Sequence, residues 1–308
     1  MSTHDLWSAY EERITTLNGW LEGALPSIWS DVLARRGLQP SRGMTKFQIT
    51  EFMLVANFAV RTLSAEDYAA TYRRLQALPQ LDPIETPELA GLKLLPDHQL
   101  LRSDLAQVQH PSLPGGSVTP ANMEKTAAFI PELYKALRIL EFMPELRSEA
   151  FTYMSALCFV ESPHLEKNGD CISTSSKLVA GLIYTSDIPA ILLAEAILHE
   201  AAHLQLFYRE LMSNFYLDDS LSIKTPLRSD LRPPSGLLHQ VFVLKRLKKY
   251  YGRLGELKVA EVEHSRPQIT KRHKVVVREF EEGIRTLSSE IDRYSPQGQK
   301  LVRELIYD

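Results

Sequence analysis

Cysteine is nearly absent from this 308-residue chain, with Cys158 and Cys171 the only two. One pair cannot staple a chain of this size, and the CxxC spacing of a zinc knot or thiol redox motif is missing. A reducing compartment is the expectation. Long apolar runs are missing too: the longest charge-free one, Ala150 to Val160, falls well short of the roughly 18 residues that span a bilayer. The N-terminus carries Asp5, Glu11 and Glu12 where a secretory signal needs apolar residues. These absences predict a cytoplasmic protein with no membrane partner. An excess of one charge is also lacking, since 35 Lys and Arg face 38 Asp and Glu for a net charge of −3. A whole-protein basic footprint for nucleic acid is therefore excluded, and no nucleic-acid partner is expected.

What remains is an ordinary globular composition, 44% hydrophobic and 24% charged, in a chain long enough for one large or two modest domains. Apolar residues recur at three- and four-residue steps over Leu6 to Leu38, Thr45 to Leu63 and Ala65 to Leu78, which predicts helices packed around Trp7, Trp20 and Trp29. Turn formers concentrate between His110 and Asn122. They mark a division between a helical N-terminal region, 1–112, and a catalytic region, 113–308, unless the two form one continuous domain. A helix is expected from about Ala121 to Phe142, and short strands at Phe151 to Val160 and Leu178 to Tyr184. The hydroxyl run Ser173 to Ser176 between them reads as a loop that caps backbone groups or faces a ligand. The expected fold is mainly α, with a small β element beside a buried helix.

That helix is where chemistry concentrates. Ser186-Asp187-Ile188-Pro189 reads as a capped start, with proline in the first turn, and the chain from Ala190 to Tyr208 is apolar on nearly every side. Its interior holds His199, Glu200 and His203, an H-E-x-x-H pattern. Four residues is a little over one turn, so both imidazoles project from one face and can bind one metal, with Glu200 beside them. Two histidines and a carboxylate on an apolar helix would each be costly to bury unpaired, and a divalent cation relieves that cost for all three.

The third ligand has to come from elsewhere. Leu206 and Arg209 stand where the metzincin pattern needs Gly and His, and no Glu lies between Glu210 and Glu256 to complete a thermolysin-like set. Ser235 can cap a helix ending near Gly252 whose first turn carries His239, and a helix N-terminus favours the neutral imidazole that a metal requires. His239 is the expected third ligand, with Asp230 next in order. Arg228 and Arg232, in a Pro-flanked loop, are suited either to holding a carboxylate near the metal or to solvation at the surface.

The order Val179-Ala-Gly-Leu-Ile-Tyr184, Ala194-Glu-Ala-Ile-Leu-His-Glu-Ala-Ala-His203, then Pro226-Leu-Arg-Ser-Asp-Leu-Arg-Pro-Pro-Ser-Gly-Leu-Leu-His239 resembles the HExxH-motif family associated with maturation of ribosomally made peptides. The closing Ser295-Pro-Gln-Gly-Gln-Lys-Leu-Val-Arg-Glu-Leu305 is similar to the C-terminal end of that family, whereas Leu227 departs from the aromatic residue often found before its first arginine. The resemblance covers about the C-terminal two thirds of the chain. It implies an Fe(II)- and 2-oxoglutarate-dependent enzyme that hydroxylates the β-carbon of a residue in a precursor peptide. Iron would sit at His199, His203 and His239, and Arg228 and Arg232 would hold the cosubstrate.

Two other classes stay open. A Zn(II)-dependent hydrolase would use Glu200 as general base, and a metal-stabilised helical protein would bind a peptide without turning it over. Residues 237–278 hold 11 basic and 3 acidic side chains against 20 and 28 in residues 1–236. The basic stretch 245–274 suits an acidic precursor peptide, or is simply a solvated helix face.

Overall fold

A computed structural model of the chain describes residues 92–95, 97, 101, 102, 105, 118–154, 156–161, 173–175, 181–212, 214–220, 222–225 and 231–307. All belong to one compact unit built from residues 83–176 and 181–308. The helices expected before residue 80, the three tryptophans, Cys171, Arg228 and Asp230 lie outside the described residues.

The unit is mainly helical, with a small mixed sheet. Strands β1 (Lys93–Leu94), β2 (Thr119–Pro120), β3 (Ala156–Glu161), β4 (Ser173–Ser175) and β5 (Leu182–Ser186) form it. β3 pairs in parallel with β5, Ala156 opposite Leu182, and β4 runs antiparallel on the far side of β5. β1 and β2 both join β3, the first parallel at Ala156 and the second antiparallel at Val160. A segment before residue 113 thus shares a sheet with the chain that follows. β3 and β5 are buried at successive residues of both parities, so their two faces are covered, as in sheets enclosed by helices.

The helices are α1 (Met123–Glu141), α2 (Pro144–Tyr153), α3 (Ala190–Met212), α4 (Pro234–Glu256), the short α5 (Ala260–Glu263), α6 (Arg266–Ser289) and α7 (Pro296–Tyr307). Prolines open α2, α4 and α7, where a missing N–H costs nothing. Asn122 caps α1 by accepting the Lys125 N–H at 2.9 Å. α2 claims Phe151 to Tyr153, which the aromatic composition had suggested for a strand, so β3 starts only at Ala156. A two-stranded ribbon of β6 (Ile223–Lys224) and β7 (Leu231–Arg232) precedes α4.

Helix α3 packs against α1, α2, α4 and the strands β4 and β5. By length and composition Ala190–Phe207 is long and apolar enough to cross a membrane, yet 67% of that stretch is buried inside the protein. Its start differs from the sequence expectation. Ser186 closes β5, and the Ala190 N–H is taken at 3.0 Å by Glu132 of α1, a capping carboxylate supplied from another helix. Two buried charge clusters fix its neighbours. Arg246 of α4 donates to Glu149 of α2 at 2.7 Å and to Gln205 of α3 at 2.5 Å. Glu195 of α3 accepts from Arg272 of α6 at 2.7 Å and from the Tyr251 hydroxyl of α4.

Candidate functional site

The buried helix α3 presents His199 and His203 one turn apart, as the i, i+4 spacing requires. Their Nε2 atoms lie 3.2 Å from one another. His239, from α4, stacks on the far side of His203 with ring centroids 5.2 Å apart and planes 24° from parallel, and the two Nδ1 atoms are 3.0 Å apart. The three histidines singled out from sequence are thus brought together by the packing of α3 on α4. Metal–nitrogen bonds of about 2.1 Å place neighbouring ligand nitrogens about 3.0–3.4 Å apart, so the His199 and His203 pair has the separation of two ligands on one ion. The third ring stands differently. His203 offers Nε2 to His199 and Nδ1 to His239, which sets the rings in a row, and among the described residues no group of three His, Cys, Asp or Glu converges on one metal position. As a donor set the three imidazoles fit a divalent transition metal; a shared ion requires one ring to turn.

Glu200 is 3% exposed, and its Oε1 accepts the Ser173 hydroxyl of β4 at 2.8 Å. The hydroxyl run therefore contributes a strand, and one of its serines holds the buried carboxylate of the motif instead of capping backbone. The same Oε1 lies 3.9 Å from His199 Nε2. His199 is the more open imidazole, with 37% of its side chain exposed against 20% for His239.

Behind His239 stands a residue that sequence reasoning passed over. Glu210, near the end of α3, has its Oε1 2.9 Å from His239 Nε2 and also accepts the Tyr216 phenol. Its signal was present: seven residues past His203 and eleven past His199 are both close to whole helical turns, so Glu210 falls on the same stripe of α3. Burial first, then the Glu210 carboxylate, push the Tyr216 phenol far above its ordinary range, so it remains a donor.

The start of α4 also departs from expectation. The helix is preceded by Pro233 and runs to Glu256, and Ser235 does not cap it; its backbone N–H donates to Asp219 at 2.8 Å. Arg232, on β7, is half-buried, and a β-carbon on Gly236 would lie 3.4 Å from Arg232 Cβ. Gly236 and His239 are three apart on α4, so the Arg232 stem runs along the helix close to the face that carries His239. Elsewhere, Asp97 is taken by Arg102, whose Nε donates at 2.6 Å, so this carboxylate is an ion-pair partner. In the basic stretch, Arg246, Lys249 and Arg272 pair with Glu149, Glu145 and Glu195, while Lys271 and Lys274 are exposed.

No protein-family model matches the chain, and no curated protein sequence matches it.

Proposed function

We propose that the chain is a non-haem Fe(II)- and 2-oxoglutarate-dependent oxygenase that hydroxylates the β-carbon of a residue in a ribosomally made precursor peptide. The observation that carries this reading is the meeting of three imidazoles from two buried helices, with nitrogens 3.2 and 3.0 Å apart, at the motif whose surrounding sequence resembles that family. His199, His203 and His239 would hold the iron. When bound, iron supplies redox chemistry that couples decarboxylation of a 2-oxo acid to oxidation of a C–H bond.

The chain's own residues do the rest. Arg232 brings a guanidinium alongside the start of α4, suited to the distal carboxylate of 2-oxoglutarate, and Arg228 is assigned the same role. Ser173 fixes the Glu200 carboxylate in a buried position beside His199, where it can orient a ligand or water. The exposed edge of His199 faces the side from which a peptide would approach, and Lys271 and Lys274 remain available to an acidic peptide.

A zinc hydrolase is the second reading, favoured by the 3.9 Å between Glu200 Oε1 and His199 Nε2, which puts a general base within reach of a water near the imidazoles. Metal content, succinate formation and peptide mass separate the two. The oxygenase reading expects iron, succinate and a peptide heavier by one oxygen. Replacing Arg232 with Ala should weaken 2-oxoglutarate binding by about 1.5–3 kcal/mol without loss of iron, the worth of a charge-assisted hydrogen bond. Zinc with a cleaved peptide and no succinate would establish the hydrolase instead.

A further inference from the structure

Hydrogen-bond directions in the imidazole row can be derived from its far end. An ionised carboxylate only accepts, so the proton between Glu210 Oε1 and His239 Nε2, 2.9 Å apart, belongs to Nε2. A neutral imidazole carries one N–H, which leaves His239 Nδ1 an acceptor. It faces His203 Nδ1 at 3.0 Å, so His203 donates from Nδ1 and turns an acceptor Nε2 toward His199. His199 Nε2, 3.2 Å away, is then the donor. The chain of contacts closes with one proton per ring and none in conflict. Running the row in the opposite direction requires two protons on His239.

We infer that Glu210, held by Tyr216, is a positioning residue that sets the tautomers of all three histidines: His239 protonated at Nε2, His203 at Nδ1 and His199 at Nε2. The hold on Tyr216 comes from the C-terminal part of the chain. Tyr216 bridges to Tyr294, the Leu217 N–H donates to Arg293 O at 3.1 Å, and the Ser295 N–H donates to Phe215 O at 2.9 Å. Tyr294 in turn donates its hydroxyl to Pro234 O, at 2.9 Å, in the first turn of the helix that carries His239. The loop that supplies the phenol and the helix that supplies the imidazole are therefore tied to one residue. This arrangement leaves His203 Nε2 and His239 Nδ1 with lone pairs in place before any ion arrives, and a carboxylate behind a ligating histidine fixes its orientation and raises its basicity. The consequence for metal binding rests on the proposed metal site; the tautomer assignment does not.

The test is two-bond proton–nitrogen correlation of the imidazoles in the full chain after chelator treatment, near neutral pH, followed by titration with Zn(II) and Fe(II). The wild type should show the three tautomers named. Glu210→Leu should convert His239 to a mixture and lower metal affinity about 10–100-fold, the usual effect of losing such a partner. Glu210→Gln, whose amide oxygen can still accept, should restore most of both. Tyr216→Phe, which keeps the ring, serves if Glu210→Leu does not fold, and should shift the His239 signals in the same sense. A wild-type His239 protonated at Nδ1, or at both nitrogens, overturns the assignment, as does a Glu210→Leu or Tyr216→Phe variant with unchanged signals and affinity. If the tautomers are as assigned but the wild type binds neither ion, the assignment stands and the metal reading fails.

Discussion

The backbone of Gly298 passes so close to Phe215 that a β-carbon at 298 would sit 2.1 Å from the Phe215 carbonyl oxygen. No rotamer change relieves a clash with backbone, so Gly298→Ala must push α7 and the 214–217 loop apart. A cost of about 1–3 kcal/mol is expected, typical of overpacking. Gly255, in the last turn of α4, has nothing within 4 Å of its added β-carbon. Gly255→Ala should instead stabilise the protein by about 0.4–1 kcal/mol through the unfolded chain. Urea unfolding of the two variants checks both signs.

Alkaline pH should unfold this protein abruptly. Burial is the first cause that holds the Tyr216, Tyr250, Tyr251 and Tyr294 phenols well above their ordinary value of 10.0, aided at Tyr216 by Glu210 and at Tyr251 by Glu195. A phenol with a raised folded pKa keeps its proton while the unfolded chain loses it. Its contribution is therefore complete below pH 10 and is lost as pH rises further, by about 1.4 kcal/mol per pH unit per phenol. Phenolate absorbance of these four should appear together with loss of helical circular dichroism, not before it. Early ionisation of all four in the folded state would contradict their burial.

Much of this unit is legible in sequence because its signals are local. The turn-rich run ending in Asn122 opens α1, the apolar stretch from Ala190 gives α3, and the i, i+4 histidines share a face for reasons of helical geometry alone. The misreadings share one cause, a partner distant in the chain. Ser186 looks like a cap until β5 claims it and Glu132 takes the Ala190 N–H from another helix. Ser235 looks like a cap until Asp219 takes its amide. Phe151 to Tyr153 have strand composition, but Pro144 has already started a helix that continues through them. Glu210 could have been placed by its period, whereas Tyr216 could not, because only its pairing with Tyr294 brings it to the site.

Arg246 should be the most sensitive structural charge among the described residues of α4. It is buried over the face of Phe242 at 3.6 Å, and burial pushes its guanidinium pKa down while Glu149 opposes that shift. Glu149→Ala removes the countercharge and leaves Gln205 and the Phe242 carbonyl as acceptors. A loss of about 3 kcal/mol is expected, the lower end for breaking a buried pair, since hydrogen bonding is only partly lost. Thermal unfolding of Glu149→Ala beside Glu145→Ala, whose Lys249 partner is exposed and whose loss should cost under about 1 kcal/mol, makes the comparison.

Glu200→Gln separates the two catalytic readings with least disturbance to the fold. The amide keeps an oxygen for the Ser173 hydroxyl, removes a charge that is 3% exposed, and leaves the neighbouring imidazoles in place, so stability and metal content should stay close to wild type. A general base lost from a hydrolase costs about 10²–10⁴-fold in rate. The hydroxylase reading asks Glu200 only to orient a ligand or water, so succinate formation should fall by less than about tenfold, the worth of one neutral hydrogen bond. Both rates are measured on the same metal-loaded preparation. A variant that loses peptide cleavage altogether but binds metal normally would transfer Glu200 to the role of base and the chain to the hydrolases. One that retains succinate formation would place its chemistry with the 2-oxo acid, and leave Glu200 a supporting part.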